Sequence, residues 1–256
     1  MKIGRAEVPI LQTTGDCNVA SMPLTRTKRR PPAAPVKRSS STKPIQSVAP
    51  DPETIAELLK QLGDIPPERV RLKPTPGTAT KRDLLRLLDK FNIQCELVDG
   101  TLVEKPMGQI ESRLGTWLSF YLCAYLEQHD IGWISGSDAP HELVSKLIRM
   151  PDVAFVSYGR LPEGEARKKP VASWAPDLAV EILSKSNTRK EIDRKRGEYF
   201  AAGVRLVWVA DPRKKTVKVY TSPDDCVTLT TADTLDGGDV LPGFSLSIGT
   251  WYAKVD

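Results

Sequence analysis

Long apolar runs are missing from this chain of 256 residues: no stretch approaches the roughly 20 apolar residues that a membrane-spanning helix needs. The first 25 residues alternate polar and apolar side chains without the continuous core of a signal peptide, so the expected location is the cytoplasm. Cysteine is sparse: Cys17, Cys95, Cys123 and Cys226 stand far apart with no CxxC pair, which argues against a zinc knuckle and against a disulfide framework. Neither His129 nor His141 has a second histidine or a cysteine at ligand spacing. Aromatic residues are only 6% of the chain, which speaks against the aromatic-lined cleft of a two-carboxylate glycosidase. No P-loop, GxSxG or GxGxxG element occurs.

Positive charge is present but unevenly spread. The net charge is +5, yet residues 1–50 hold nine Lys or Arg against Glu7 and Asp16, a balance of +7. The remaining residues hold 28 bases against 30 acids, a balance of −2. Basicity therefore belongs to the tail and cannot by itself argue that the rest binds nucleic acid. That tail contains Lys28-Arg29-Arg30-Pro31-Pro32 and Lys37-Arg38-Ser39-Ser40-Ser41, buries too little to offset ordering entropy, and is expected to be disordered. As a polycation it can hold polyanions nonspecifically by counterion release.

Residues 51–92 read as a helical appendage. Ile55, Leu58, Leu59 and Leu62 recur at helical spacing until Gly63, and Thr80-Lys81-Arg82-Asp83 opens a second helix as a capping box. Residues 93–256 read as one domain of α/β class. It begins with a hairpin over Ile93–Val98 and Thr101–Lys105 around Asp99-Gly100. The longest helix follows, with Ile110, Leu114, Trp117, Leu118, Tyr121 and Leu122 on one face. Strands are expected at Ile131–Ser135 and Leu143–Ile148, then after Asp152, and from Asp177 to Leu183. Thr188-Arg189-Lys190-Glu191 predicts another capping box and a helix ending at Gly203, followed by a strand over Val204–Ala210 that is covered on both faces.

Two strand-like segments carry carboxylates beside proline: Pro151-Asp152-Val153-Ala154-Phe155-Val156 and Pro176-Asp177-Leu178-Ala179-Val180-Glu181-Ile182-Leu183. Strand alternation puts Asp177 and Glu181 on one face, but about 13 Å apart at roughly 3.3 Å per residue. Two ligands of one magnesium ion lie within about 4 Å of each other, so these two cannot share it. Glu181 needs a partner from a neighbouring strand, and Asp152 is the candidate. Asp177 reads instead as a structural Pro-Asp turn. A charge among Val180, Ile182 and Leu183 is seldom left unpaired or uncoordinated.

On the following helix Ile192, Lys195 and Tyr199 share a stripe that faces the sheet. Lys195 can snorkel to the rim, or its ammonium can stand near Asp152 and Glu181, orienting a water and countering charge on a pentavalent phosphorus transition state. Glu111 sits in the first turn of the longest helix, where the macrodipole alone favours an acid.

With Lys195 and Tyr199, and with Ala202-Gly203-Val204-Arg205-Leu206-Val207-Trp208-Val209-Ala210-Asp211-Pro212, the two carboxylate segments form an ordered string of motifs. From about Cys95 to Trp251 the chain resembles the "putative restriction endonuclease" domain family, a bacterial branch of the PD-(D/E)XK nuclease superfamily. The resemblance implies a restriction-endonuclease-like α/β core in which a helix, a mixed β-sheet, a helix and a strand follow in order. It puts the acid of the PD element on Asp152 and the second acid on Glu181, both as metal ligands, and makes Glu111 the matching acid on the preceding helix. The superfamily lysine would stand at Leu183; in this branch the following helix supplies it, as Lys195 does. The reading is a Mg²⁺-dependent endonuclease, with Mn²⁺ as a substitute ion, that hydrolyses DNA, with no membrane partner and a homodimer expected by analogy alone. The alternative is a catalytically silent nucleic-acid or protein interaction module that keeps the fold for its surface.

Overall fold

Strand alternation and helical capping resolve, in a computed structural model of the chain, into two principal sheets with helices against their faces. The structure describes residues 52–106, 108–161 and 168–256, all within one unit, Ile45–Asp256. The basic tail over 1–50 and residues 162–167 lie outside the described residues.

The first helix, α1 (Ile55–Gln61), starts where Thr54 accepts from the Glu57 N–H. The second, α2 (Lys81–Phe91), has the reciprocal capping box between Thr80 and Asp83. Strands β1 (Cys95–Val98) and β2 (Thr101–Glu104) pair antiparallel around Asp99 and Gly100, whose φ values of 49° and 73° are those of a type I′ turn. The helix α3 (Gln109–Leu126) follows, then β3 (Gly132–Gly136), β4 (His141–Val144), β5 (Leu147–Arg149) and β6 (Val153–Ser157). After them come β7 (Leu178–Ile182), α4 (Arg189–Ala201), β8 (Leu206–Asp211), β9 (Thr216–Tyr220) and β10 (Cys226–Leu229). The chain closes with a ribbon of β11 (Thr234–Asp236) and β12 (Ser245–Ser247) and the short α5 (Ile248–Tyr252).

The larger sheet has the order β10-β9-β8-β7-β6-β3, mixed because β7 and β8 run parallel through the α4 crossover. On one face Leu114, Leu118 and Leu122 of α3 pack against Val153, Phe155, Leu178, Val180 and Trp208. On the other, Ile192 and Tyr199 of α4 cover Ala179, Val207 and Val209. This is the restriction-endonuclease-like core of helix, mixed sheet, helix and strand. Glu181 falls on the α4 face because it alternates with Val180 and Ile182, which face α3.

The smaller sheet, β2-β1-β5-β4, is covered on one face by Leu84 and Leu87 of α2, which meet Leu97, Leu102 and Ile148. Leu58 and Leu62 of α1 meet Val98, Val103 and Leu147 on the other. Two local expectations are corrected here. The single strand expected over Leu143–Ile148 is a hairpin, β4 and β5, turned at Ser145-Lys146 with Lys146 at φ 63°. The capping box expected at Thr188 is only half present: Thr188 accepts from the Glu191 N–H, but the Glu191 carboxylate turns to Arg69 and Asn187. A guanidinium offers two charge-assisted bonds, more than one backbone N–H can.

Candidate active site

Asp152 lies at the entrance to β6, where the chain crosses from the smaller sheet to the larger. Its N–H donates to the Val180 carbonyl at 2.9 Å, and its Oδ2 accepts from the Ile182 N–H at 2.7 Å. The β6–β7 register ends with Val153 paired to Val180, and these two bonds hold Asp152 just beyond it against Val180 and Ile182, the residues on either side of Glu181.

Glu181, 4% exposed, is held from both sides: Lys195 Nζ lies 3.0 Å from its Oε2, and the Tyr199 hydroxyl donates to its Oε1 at 2.5 Å. The ammonium of Lys195 also stands 3.1 Å from Oε1 of Glu96. Glu96 accepts further from the Met150 N–H at 3.0 Å and from Arg149 at 2.8 Å, and Arg149 reaches Glu198 on α4 at 2.6 Å. A buried network of acids and bases thus fills the space between the two sheets.

Its protonation follows from burial set against neighbouring charge. Burial drives the Glu181 carboxyl upward and Lys195 opposes this, but Asp152 and Glu96 add to the rise, and it ends above its ordinary value. Burial acts the same way on Glu96, yet Lys195, Arg149 and the Met150 N–H outweigh it and hold Glu96 well below. Burial works against the Lys195 charge, while Glu181 and Glu96 keep the ammonium above its usual value. Burial raises the Tyr199 hydroxyl, and Glu181 raises it further.

Beside this network opens a cleft of about 390 Å³ whose walls include Asp152, Glu111, Lys105, Gln94 and Ser137. Glu111 folds back over the start of α3, where Gly108 leaves it room: a Cβ at Gly108 would stand 1.9 Å from Glu111 Oε2. The carboxylate therefore sits at the positive end of α3 and on the cleft wall together with Asp152. Glu181 and Lys195 do not line this cleft. The expected residues hence divide into two groups, Asp152 with Glu111 at the opening and Glu181 with Lys195 behind it, linked through the bonds of Asp152 to Val180 and Ile182 on either side of Glu181.

Two residues escaped the sequence reading. Glu96 is an acid within the apolar strand Cys95–Val98, the same signal that singled out Glu181. Lys105, the residue after β2, had no such signal; its ammonium lies 2.8 Å from Oδ1 of Asp152 with its side chain 4% exposed. Asp177 is a structural clasp, accepting from the Ser157 N–H at 2.7 Å and from Arg160 and Arg205 at 3.0 Å each.

A divalent ion suits this arrangement. Among the described residues no group of three or more His, Cys, Asp or Glu stands ready as a cage, but magnesium takes one or two carboxylates and keeps water and substrate oxygens for the rest. Asp152 already has a cation against it, the Lys105 ammonium, and Gln94 Oε1 on the cleft wall is buried without a partner. The residues present fit such an ion.

The chain belongs to the Uma2 family, described as "Putative restriction endonuclease", whose model matches residues 82–249. Its fold is similar to that of a solved structure from Anabaena variabilis titled as "a putative nuclease belonging to DUF820", with a TM-score of 0.59 and 18% sequence identity. That likeness covers 68% of this chain and 98% of the other, and at such identity it is one of fold. Comparison with curated proteins finds no match.

Proposed function

We propose that this chain is a metal-dependent endonuclease that hydrolyses phosphodiester bonds of DNA, with Asp152 and Glu181 as the metal ligands. The observation that carries the reading is the bonding of Asp152 to Val180 and Ile182, the two residues that flank Glu181 on β7, beside a cleft that Asp152 helps to line. Membership in a family described as restriction endonucleases supports the reaction class.

Bound Mg²⁺, or Mn²⁺ in its place, would supply a Lewis acid for a phosphoryl oxygen and a water of lowered pKa. The protein side of the reaction follows from contacts. The Ile182 N–H and Lys105 aim the Asp152 carboxylate. Lys195, 2% exposed and engaged by two carboxylates, acts through Glu181, offsetting its burial and fixing its orientation against the Tyr199 hydroxyl. Glu111 on the cleft wall accepts a proton from the attacking water as the phosphorus–oxygen bond to the leaving sugar breaks, and the departing sugar oxygen takes a proton from solvent in the open cleft.

A second reading, a catalytically silent interaction module, is favoured by one observation: both oxygens of Glu181 already have partners within the protein. Nicking of supercoiled plasmid and of single-stranded DNA with Mg²⁺ or Mn²⁺ separates the two. Asp152→Ala and Glu181→Ala are each expected to lose about 10³-fold or more, since several kcal/mol of metal-borne stabilisation disappear. Equal residual activity in the wild type and both variants would sink the nuclease reading.

A further inference from the structure

We propose that the Lys105 ammonium is a built-in counter-cation that occupies the cation position at Asp152 and competes there with the divalent ion. The inference rests on the metal reading above and adds a residue that neither the sequence pattern nor the family description assigns.

Three oxygens converge on Lys105 Nζ: Oδ1 of Asp152 at 2.8 Å, the Met150 carbonyl at 2.7 Å and the Ser137 carbonyl at 3.1 Å. A carboxylate and two carbonyls around one point form the all-oxygen donor set that hard cations take. The three come from two separate parts of the chain, the turn after β3 for Ser137 and the short link between β5 and β6 for Met150 and Asp152. One ammonium therefore ties together the segments that form one side of the cleft. Its side chain is 4% exposed, against 16% for Asp152, so the cation lies deeper than the carboxylate it serves.

The aim of Asp152 does not depend on this lysine alone, because Oδ2 is held independently by the Ile182 N–H at 2.7 Å. Removing the lysine charge thus leaves the carboxylate in place and deprives it of its internal partner. A divalent ion bound at Asp152 shares the carboxylate with a fixed positive charge only 2.8 Å from Oδ1, and repulsion at that range is strong in partly buried surroundings. Lys105 consequently keeps the metal-free site compensated and sets how much ion is needed to fill it.

Calorimetric titration of the full chain with Mn²⁺, together with unfolding midpoints measured with and without the ion, tests this. Lys105→Met is expected to bind the ion about tenfold more tightly or better than the wild type, which corresponds to about 1.4 kcal/mol. Its metal-free form should unfold earlier, since the Met150 and Ser137 carbonyls lose their donor. Lys105→Gln removes the charge while retaining an N–H donor, and it serves if the methionine variant does not fold; the same tightening is expected. In Lys105→Ala, added ammonium chloride should loosen Mn²⁺ binding by returning a small cation to the vacated position, with no such effect in the wild type. Ion binding that is equal in the wild type and the folded variants overturns the counter-cation role and leaves the metal reading intact. Absence of binding in the wild type and in every variant removes both.

Discussion

The Lys195 ammonium stands 3.0 Å from Glu181 where neither side chain is more than 6% exposed, and the same ammonium serves Glu96 at 3.1 Å. One cation from α4 therefore joins the two sheets through an acid on each. Lys195→Met strands two buried carboxylates, and loss of one member of a buried pair costs about 3–5 kcal/mol. Urea unfolding should report a loss of that order, with Lys195→Arg recovering part of it. A change under about 1 kcal/mol would mean that the network is slack.

Arg69 grips Glu191 at two points, 2.7 Å and 2.9 Å, and also donates to the Glu104 carbonyl at 2.9 Å. The pair holds the first turn of α4, the helix that carries Lys195. Arg69→Met is expected to cost about 3–5 kcal/mol and to speed amide exchange at the start of α4. Exchange confined to residues 52–80 would show instead that α4 holds itself.

The acid limb of stability should respond to Asp177. Burial alone would raise its carboxyl, but the Ser157 N–H, Arg160 and Arg205 hold it below the ordinary value. A depressed folded pKa contributes stability above the unfolded value of about 3.9, and that contribution disappears as pH falls through the folded value. Asp177→Asn should therefore lower stability at pH 7 and flatten its decline below about pH 4. Glu181 has the opposite sign: its raised carboxyl favours the fold below an unfolded value of about 4.3, and the benefit is lost as pH rises through the folded value. Midpoints measured from pH 7 to pH 3 check both signs.

Glu111 and Asp152 share the cleft but differ in their attachments, since Asp152 is bonded to the β7 backbone at Val180 and Ile182. Glu111→Gln is expected to slow DNA cleavage by about 10²–10⁴-fold, the range for a positioned general base. Mn²⁺ affinity should stay close to that of the wild type. A loss as deep as that of Asp152→Asn, with Mn²⁺ affinity reduced in parallel, would make Glu111 a direct ligand.

Much of this architecture is legible along the chain because it depends on near neighbours. Alternation put Glu181 on the opposite face from Val180 and Ile182, and helical spacing put Lys195 and Tyr199 on one stripe. Glu96 carries the same signal, an acid in an apolar strand, but its partners Arg149 and Lys195 lie 53 residues or more away and only the fold brings them to it. The turn at Ser145-Lys146 was hidden for another reason: it has no glycine or proline, and Lys146 adopts a left-handed backbone that its residue type does not announce.

By itself the sequence determined periodicity, caps, turns and the face on which each ionisable side chain lies, since these follow from contacts within a turn or two of chain. Only the tertiary structure decided which charges meet. Lys195 reaches Glu181 across 14 residues, Arg149 reaches Glu96 across 53, and Arg69 reaches Glu191 across 122. Such pairs come into being when the two sheets close on one another and exclude water between them. The lowered dielectric there makes partner choice decisive, and no local pattern encodes it.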